Sequence, residues 1–260
     1  MKKIIISLLI AILMMGITGC KKEPIEKNIE IDITKNNTKN ANTERNGKYS
    51  DKTVYLTFDD GSSENTEEIL DILDKYNVKA SFFVVGKEDS YSLNMYKEIV
   101  KRGHTLGMHS YSHKYDYIYE SFDNFFKDYN KIFNLLYDTT GVKPSIYRFP
   151  GGSLNDVSNI DIESIIKYFN SENIVYYDWN VLNGDAEIIN YTDNELIDNV
   201  ISGIEINNSS IVLMHDSEDK YAKVRTLPVI LEKLISEGAK IAPLDKNSPK
   251  IQMVEADSIK

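Results

Sequence analysis

Asp59 and Asp60 stand side by side in Thr57-Phe58-Asp59-Asp60-Gly61, directly after the apolar run Val54-Tyr55-Leu56. Adjacent carboxylates raise each other's pKa unless a cation lies beside them. The pair therefore asks for a metal, a basic partner, or a catalytic task for one acid. An Asp-Asp-Gly turn is the plain alternative. His109-Ser110-Tyr111-Ser112-His113 sets two imidazoles four residues apart, a spacing that on a helical turn brings both to one ion. Two His and one carboxylate make a ligand set that leaves positions open for water and substrate. Asp60 is assigned as that carboxylate, which leaves Asp59 as general base. A divalent ion so held activates water and polarises a carbonyl. His215, from a distant segment, can then protonate a leaving group. Of the four His in the chain, His104 remains, and reads as structural.

These groups need a frame, and the hydrophobic pattern supplies one. Apolar runs at 54–58, 80–85, 105–108, 146–147, 174–177, 211–214 and 240–242 read as strands. Helical periodicity covers 67–76, 93–101, 121–137, 160–169 and 227–237. Thr192 and Glu195 form a capping box for a helix reaching about Ile201. Strict β-α alternation predicts an α/β fold, a distorted (β/α) barrel of about seven parallel strands. Asp59, Asp60, His109, Arg148, Asp178 and His215 all follow predicted strands, so a barrel gathers them on one face. No Gly-rich dinucleotide fingerprint follows the first strand.

Composition excludes some functions. The chain has 260 residues, 40 acids against 30 bases, and a formal net charge of −10. That balance argues against a nucleic-acid partner, which leaves a basic footprint. The single Cys rules out disulfides within the chain and thiolate chemistry in the folded domain.

That Cys is Cys20, at the end of a segment with Lys2 and Lys3 followed by the apolar run Ile4 to Met15. The run is short for a membrane span and has the layout of a signal peptide. Ile17-Thr18-Gly19-Cys20 resembles the lipobox of bacterial lipoproteins, which implies cleavage after residue 19 and a lipid on Cys20. Residues 20–50 are polar and read as a disordered tether, apart from an Ile29–Ile33 alternation that could add a strand. The folded domain is expected over 51–246, with 247–260 as a C-terminal tail.

Five segments, in order, resemble the motifs of polysaccharide deacetylases, the nodulation-deacetylase (NodB) homology family, also called carbohydrate esterase family four. They are Thr57 to Gly61, His109 to His113, Arg148-Phe149-Pro150-Gly151-Gly152, Asp178-Trp179-Asn180 and Leu213-Met214-His215-Asp216. The resemblance spans about residues 51–245. It implies a NodB-homology barrel that removes acetyl groups from sugars with a divalent metal, zinc first, with cobalt, manganese or nickel as substitutes. It implies that Asp59 is the general base, that Asp60, His109 and His113 bind the metal, and that Arg148 holds Asp59 in place and ionised. It further implies that His215 is the general acid, that Asp178 tunes it, and that Trp179 and Leu213 wall the acetyl pocket. A backbone N–H near Gly151 is expected to hold the oxyanion. The family often has Tyr at the Gly151 position, so substrate contacts are expected to differ here.

The resulting expectation is an N-acetylglucosamine deacetylase acting on cell-wall glycan, peptidoglycan above all. It is expected to be monomeric and anchored through Cys20 to the outer face of a bacterial membrane. An O-acetyl esterase of the xylan type and a catalytically silent glycan-binding lipoprotein stand as alternatives.

Overall fold

The structure is a computed structural model. It describes residues 46–187, 189, 191–217 and 222–259; the side chains of Ala222 and Lys223 are not described. The signal segment, Cys20, the Ile29–Ile33 alternation and nearly all of the tether fall outside the described residues.

The strands are β1 (Thr53–Asp59), β2 (Ser81–Val85), β3 (Thr105–Ser110), β4 (Ile146–Tyr147), β5 (Val175–Tyr176), β6 (Val181–Leu182), β7 (Ser209–His215) and β8 (Lys240–Ile241). Every pairing is parallel. The path β5-β4-β3-β2-β1-β7-β6 makes seven strands, with β8 added beside the start of β1. This is the curled, incompletely closed α/β barrel that the alternation predicts. β5 and β6 end the path, so residues 177–180 carry the chain from one sheet edge to the other. Tyr177 N–H donates to Tyr147 O on one side, and Asn180 N–H to Ile211 O on the other.

The helices are α1 (Thr66–Lys75), α2 (Ser90–Lys101), α3 (Tyr115–Ile118), α4 (Phe122–Thr140), α5 (Ile162–Ser171), α6 (Asp193–Ile206) and α7 (Ala222–Ser236). Their apolar stripes cover the sheet: Phe125, Tyr129, Ile132 and Leu136 of α4 are buried at helical spacing. Thr192 and Glu195 do form the capping box of α6. β6 and α3, at two and four residues, are too short to show a period in the sequence.

Two boundaries differ from the sequence reading. Tyr49, placed in the tether, is 2% exposed in the core, and its N–H donates to Glu237 O. Residues 247–259, read as a tail, fold back onto the domain. Asp178 N–H donates to Ile251 O, Gln252 Nε2 donates to Tyr176 O, and the Tyr176 hydroxyl donates to Val254 O. Lacking an apolar period, this strap is held by side chains and main chain of the sheet edge, which no local pattern reveals.

Candidate active site

The β1 register explains how two adjacent acids serve one site. Asp59 is the last residue of the strand and pairs in register with His215 of β7. Asp60 lies just beyond, with φ of +70°, a left-handed conformation that Asp tolerates better than most residues. The turn is clamped on both sides. Asp60 N–H donates to Phe83 O, Val85 N–H to Gly61 O, and Asp216 N–H to Asp59 O. Gly61 is required by close approach, since a Cβ there would meet Asp216 Oδ2 at 2.6 Å.

Asp59 is 2% exposed and faces a fully buried Arg148. Nη1 of that guanidinium donates to Asp59 Oδ1 at 2.8 Å and to Thr57 Oγ1 at 2.7 Å. Nε donates to Tyr177 O at 2.9 Å, and Nη2 to Asp178 O at 3.0 Å. The guanidinium also lies 4.2 Å from the centre of the Phe83 ring. A buried charge so thoroughly matched is fixed in place. It leaves the second carboxylate oxygen of Asp59 for chemistry.

Asp60, His109 and His113 converge. Asp60 Oδ1 is 3.6 Å from His109 Nε2 and 3.3 Å from His113 Nε2, and one ligand atom from each lies within 4.8 Å of the others. His109 Nδ1 is 2.8 Å from Arg148 O. A carbonyl only accepts, so Nδ1 carries the proton and Nε2 presents its lone pair. Burial, and then the neighbouring His109, push the His113 pKa down against the pull of Asp60 and Asp59. Two imidazole Nε2 atoms thus aim at a carboxylate oxygen that is itself buried without a hydrogen-bond partner. Three acceptors facing one another are the donor set of a divalent cation, and the residues fit one.

The route to this convergence is not the helical turn inferred from the His-x-x-x-His spacing. His109 ends within β3, and His113 sits in a loop with φ of +51°. Their ring centres are 5.1 Å apart.

The other side of the cleft corrects the assignment of Asp178. Its carboxylate does not meet His215. Oδ1 accepts from Ser153 N–H at 2.8 Å and Oδ2 from Met253 N–H at 2.7 Å, with the Ser153 hydroxyl also donating to it. Asp178 staples the loop after β4 to the C-terminal strap. The partner of His215 is Asp185, whose Oδ1 accepts from Nδ1 and whose Oδ2 accepts from His215 N–H, both at 2.8 Å. Burial lowers the His215 pKa, but the hydrogen bond and charge of Asp185, with Asp59 and Asp60 behind them, raise it above the ordinary value. From the sequence, Asn183-Gly184-Asp185 can line the cleft or form a loop turn equally well, with nothing to link it to His215.

One cleft of about 240 Å³ is lined by Asp59, Asp60, His109, His113, Asp185 and His215. Gly151, Trp179 and Leu213 form walls of it, and Tyr115 adds an aromatic wall that the motifs do not contain. Tyr115 stands edge-on to His113, and a Cβ at Gly151 would meet its ring at 3.1 Å. His104 stays outside the site. Its Nδ1 accepts from Ala80 N–H, and burial depresses its pKa to about 4.

Comparison with known proteins agrees with this geometry. The sequence profile of the family described as Polysaccharide deacetylase matches residues 46–165. YheN of Bacillus subtilis, which carries the name of a polysaccharide deacetylase, is 34% identical over 205 residues, covering 75% of this chain and 68% of that protein. A Bacillus cereus peptidoglycan-N-acetylglucosamine deacetylase is 29% identical over 203 residues, covering 76% and 69%. The crystal structure of the catalytic domain of peptidoglycan N-acetylglucosamine deacetylase from Eubacterium rectale superposes with a TM-score of 0.73. It is 40% identical, covering 77% of this chain and 92% of that one. With five ordered motifs meeting in one cleft of a half-closed parallel barrel, the chain belongs to the polysaccharide deacetylase family.

Proposed function

We propose that this enzyme removes N-acetyl groups from N-acetylglucosamine-type residues of cell-wall glycan, with peptidoglycan as the polymer, using a divalent ion, zinc first. The observation that carries the reading is the buried, partnerless Asp60 Oδ1 facing two imidazole Nε2 atoms, flanked by a fixed carboxylate and a charge-supported imidazole. The names of the Bacillus cereus and Eubacterium rectale proteins support the substrate class.

Asp60, His109 and His113 would hold the ion, which when bound supplies Lewis-acid polarisation of the acetyl carbonyl and of water. Asp59, held at Oδ1 by Arg148, takes the proton of the attacking water on its other oxygen. A Gly151 N–H beside the cleft is the backbone donor for the developing oxyanion. Trp179 and Leu213 exclude water around the acetyl methyl. An amine is a poor leaving group unless protonated. His215, with its Nδ1 proton committed to Asp185, delivers a proton from Nε2. A lipid on Cys20 would keep the enzyme at the outer membrane face, beside its polymer.

Incubation of muropeptides with the zinc-loaded enzyme is expected to remove one acetyl mass from an amino sugar and expose a free amine, detected by mass spectrometry. Prior chelation should stop this, and added divalent ion should restore it. Acetate release without new amines would instead identify an O-acetyl esterase.

Asp185→Asn removes the charge that helps raise the His215 pKa and leaves one acceptor oxygen where two serve His215. The proton donor is then lost at lower pH, so the alkaline limb of kcat moves downward. The rate at neutral pH is expected to fall roughly 10–100-fold, part of the full contribution of a general acid. An unmoved alkaline limb rejects this role for Asp185.

A further inference from the structure

Asp128 lies on α4, outside all five motifs, and is 4% exposed. Buried carboxylates are costly unless fully hydrogen-bonded, and this one is matched by donors from a single loop. Oδ2 accepts from the Ser110 hydroxyl at 2.6 Å and from Tyr111 N–H at 2.7 Å. Oδ1 accepts from Ser112 N–H at 2.9 Å. Ser110 Oγ in turn accepts from His113 N–H at 2.9 Å. The carboxylate therefore captures three consecutive residues after His109 and reaches the fourth through one hydroxyl.

The loop needs such an anchor. Three residues separate its two cleft imidazoles, it has no helical ladder of its own, and His113 holds a left-handed φ of +51°. A non-glycine residue in that region is strained and persists only where its surroundings impose it. α4 is long and well packed, capped by the Ser121 side chain and closed by Gly141, so Asp128 is fixed by a rigid element rather than by another loop.

We propose that Asp128 is a positioning residue for the metal site: it ties the 110–113 loop to α4 and so holds His113 Nε2 toward Asp60 and His109. The inference rests on the metal reading given above. Its contact is with the loop and not with substrate, so its signature is metal affinity. Loss of such outer support typically weakens binding 10–100-fold.

The test is a zinc titration of the purified full chain in competition with a chromophoric chelator, with folding followed by circular dichroism. Asp128→Asn reverses one hydrogen-bonding edge against the loop N–H groups and is expected to raise the zinc Kd 10–100-fold. Ser110→Ala cuts only the relay to His113 and is expected to raise it severalfold. In the cobalt-loaded protein, Asp128→Asn is expected to change the d–d spectrum, a readout that loss of stability alone does not move. Unaltered zinc affinity and cobalt spectrum in a folded Asp128→Asn protein overturn the proposal. Should that variant not fold, an unaltered Ser110→Ala titration overturns it instead. Failure of the wild-type chain to bind zinc or cobalt would refute the underlying metal reading, a result distinct from either.

Discussion

Asp59→Asn is expected to lower kcat by about 10³–10⁴, near the upper end of what a positioned general base contributes. The substitution keeps the side-chain shape and one acceptor for Arg148 Nη1, so the cleft retains its form. It removes the only proton acceptor that Arg148 fixes at the end of β1. KM should change little and zinc should still bind, because Asp60, His109 and His113 are untouched. Arg148 then keeps its three other acceptors but its buried charge is left uncompensated, at a stability cost of about 3–5 kcal/mol. Single-turnover kinetics with a defined glycan, at saturating metal, measure the first effect directly. A loss of less than tenfold would remove Asp59 from the base role.

Arg148→Met should produce the largest loss of stability among the site residues. Breaking a buried ion pair by deleting one partner costs about 3–5 kcal/mol, because the remaining charge is left uncompensated. Here the damage is wider than one pair. Asp59 Oδ1 loses its donor, and the carbonyls of Tyr177 and Asp178 lose theirs. For a domain of this size each kcal/mol lowers Tm by about 2–4 °C, so a fall of about 6–20 °C is expected by calorimetry. Activity should fall as well, since the base is no longer held. In a double-mutant cycle, Arg148→Met and Asp59→Asn should be strongly non-additive. Additivity within about 0.5 kcal/mol would show the two groups to be energetically independent, against the 2.8 Å contact.

The parts of the site that could be read in advance are those attached to strand ends. Apolar runs announce the strands, and a polar residue just after such a run must lie at the rim of a parallel barrel. That argument placed Asp59, Asp60, His109, Arg148 and His215 together. It failed for Asp178 because position at a strand end does not say where a carboxylate points. This one is drawn to N–H groups of Ser153 and Met253, the latter 75 residues away. Asp185 has no assigned role for the opposite reason, since Asn183-Gly184-Asp185 can line the cleft but spells an ordinary turn equally well. Its pairing with His215 spans 30 residues. Asp128 left a local signal: an acid three residues after Phe125 and four before Ile132, on the apolar stripe of its helix. A charge on the buried side of an amphipathic helix needs dedicated donors, and that mismatch is readable without coordinates.

The crossing at residues 177–180 gives Arg148 a second significance. The same guanidinium that steadies the proton acceptor also ties down two main-chain oxygens where the sheet fails to meet itself. Catalytic competence and the integrity of that junction therefore depend on one cation. A molecule whose edges have parted there has already released Asp59, so such a damaged form is inert as well as unstable.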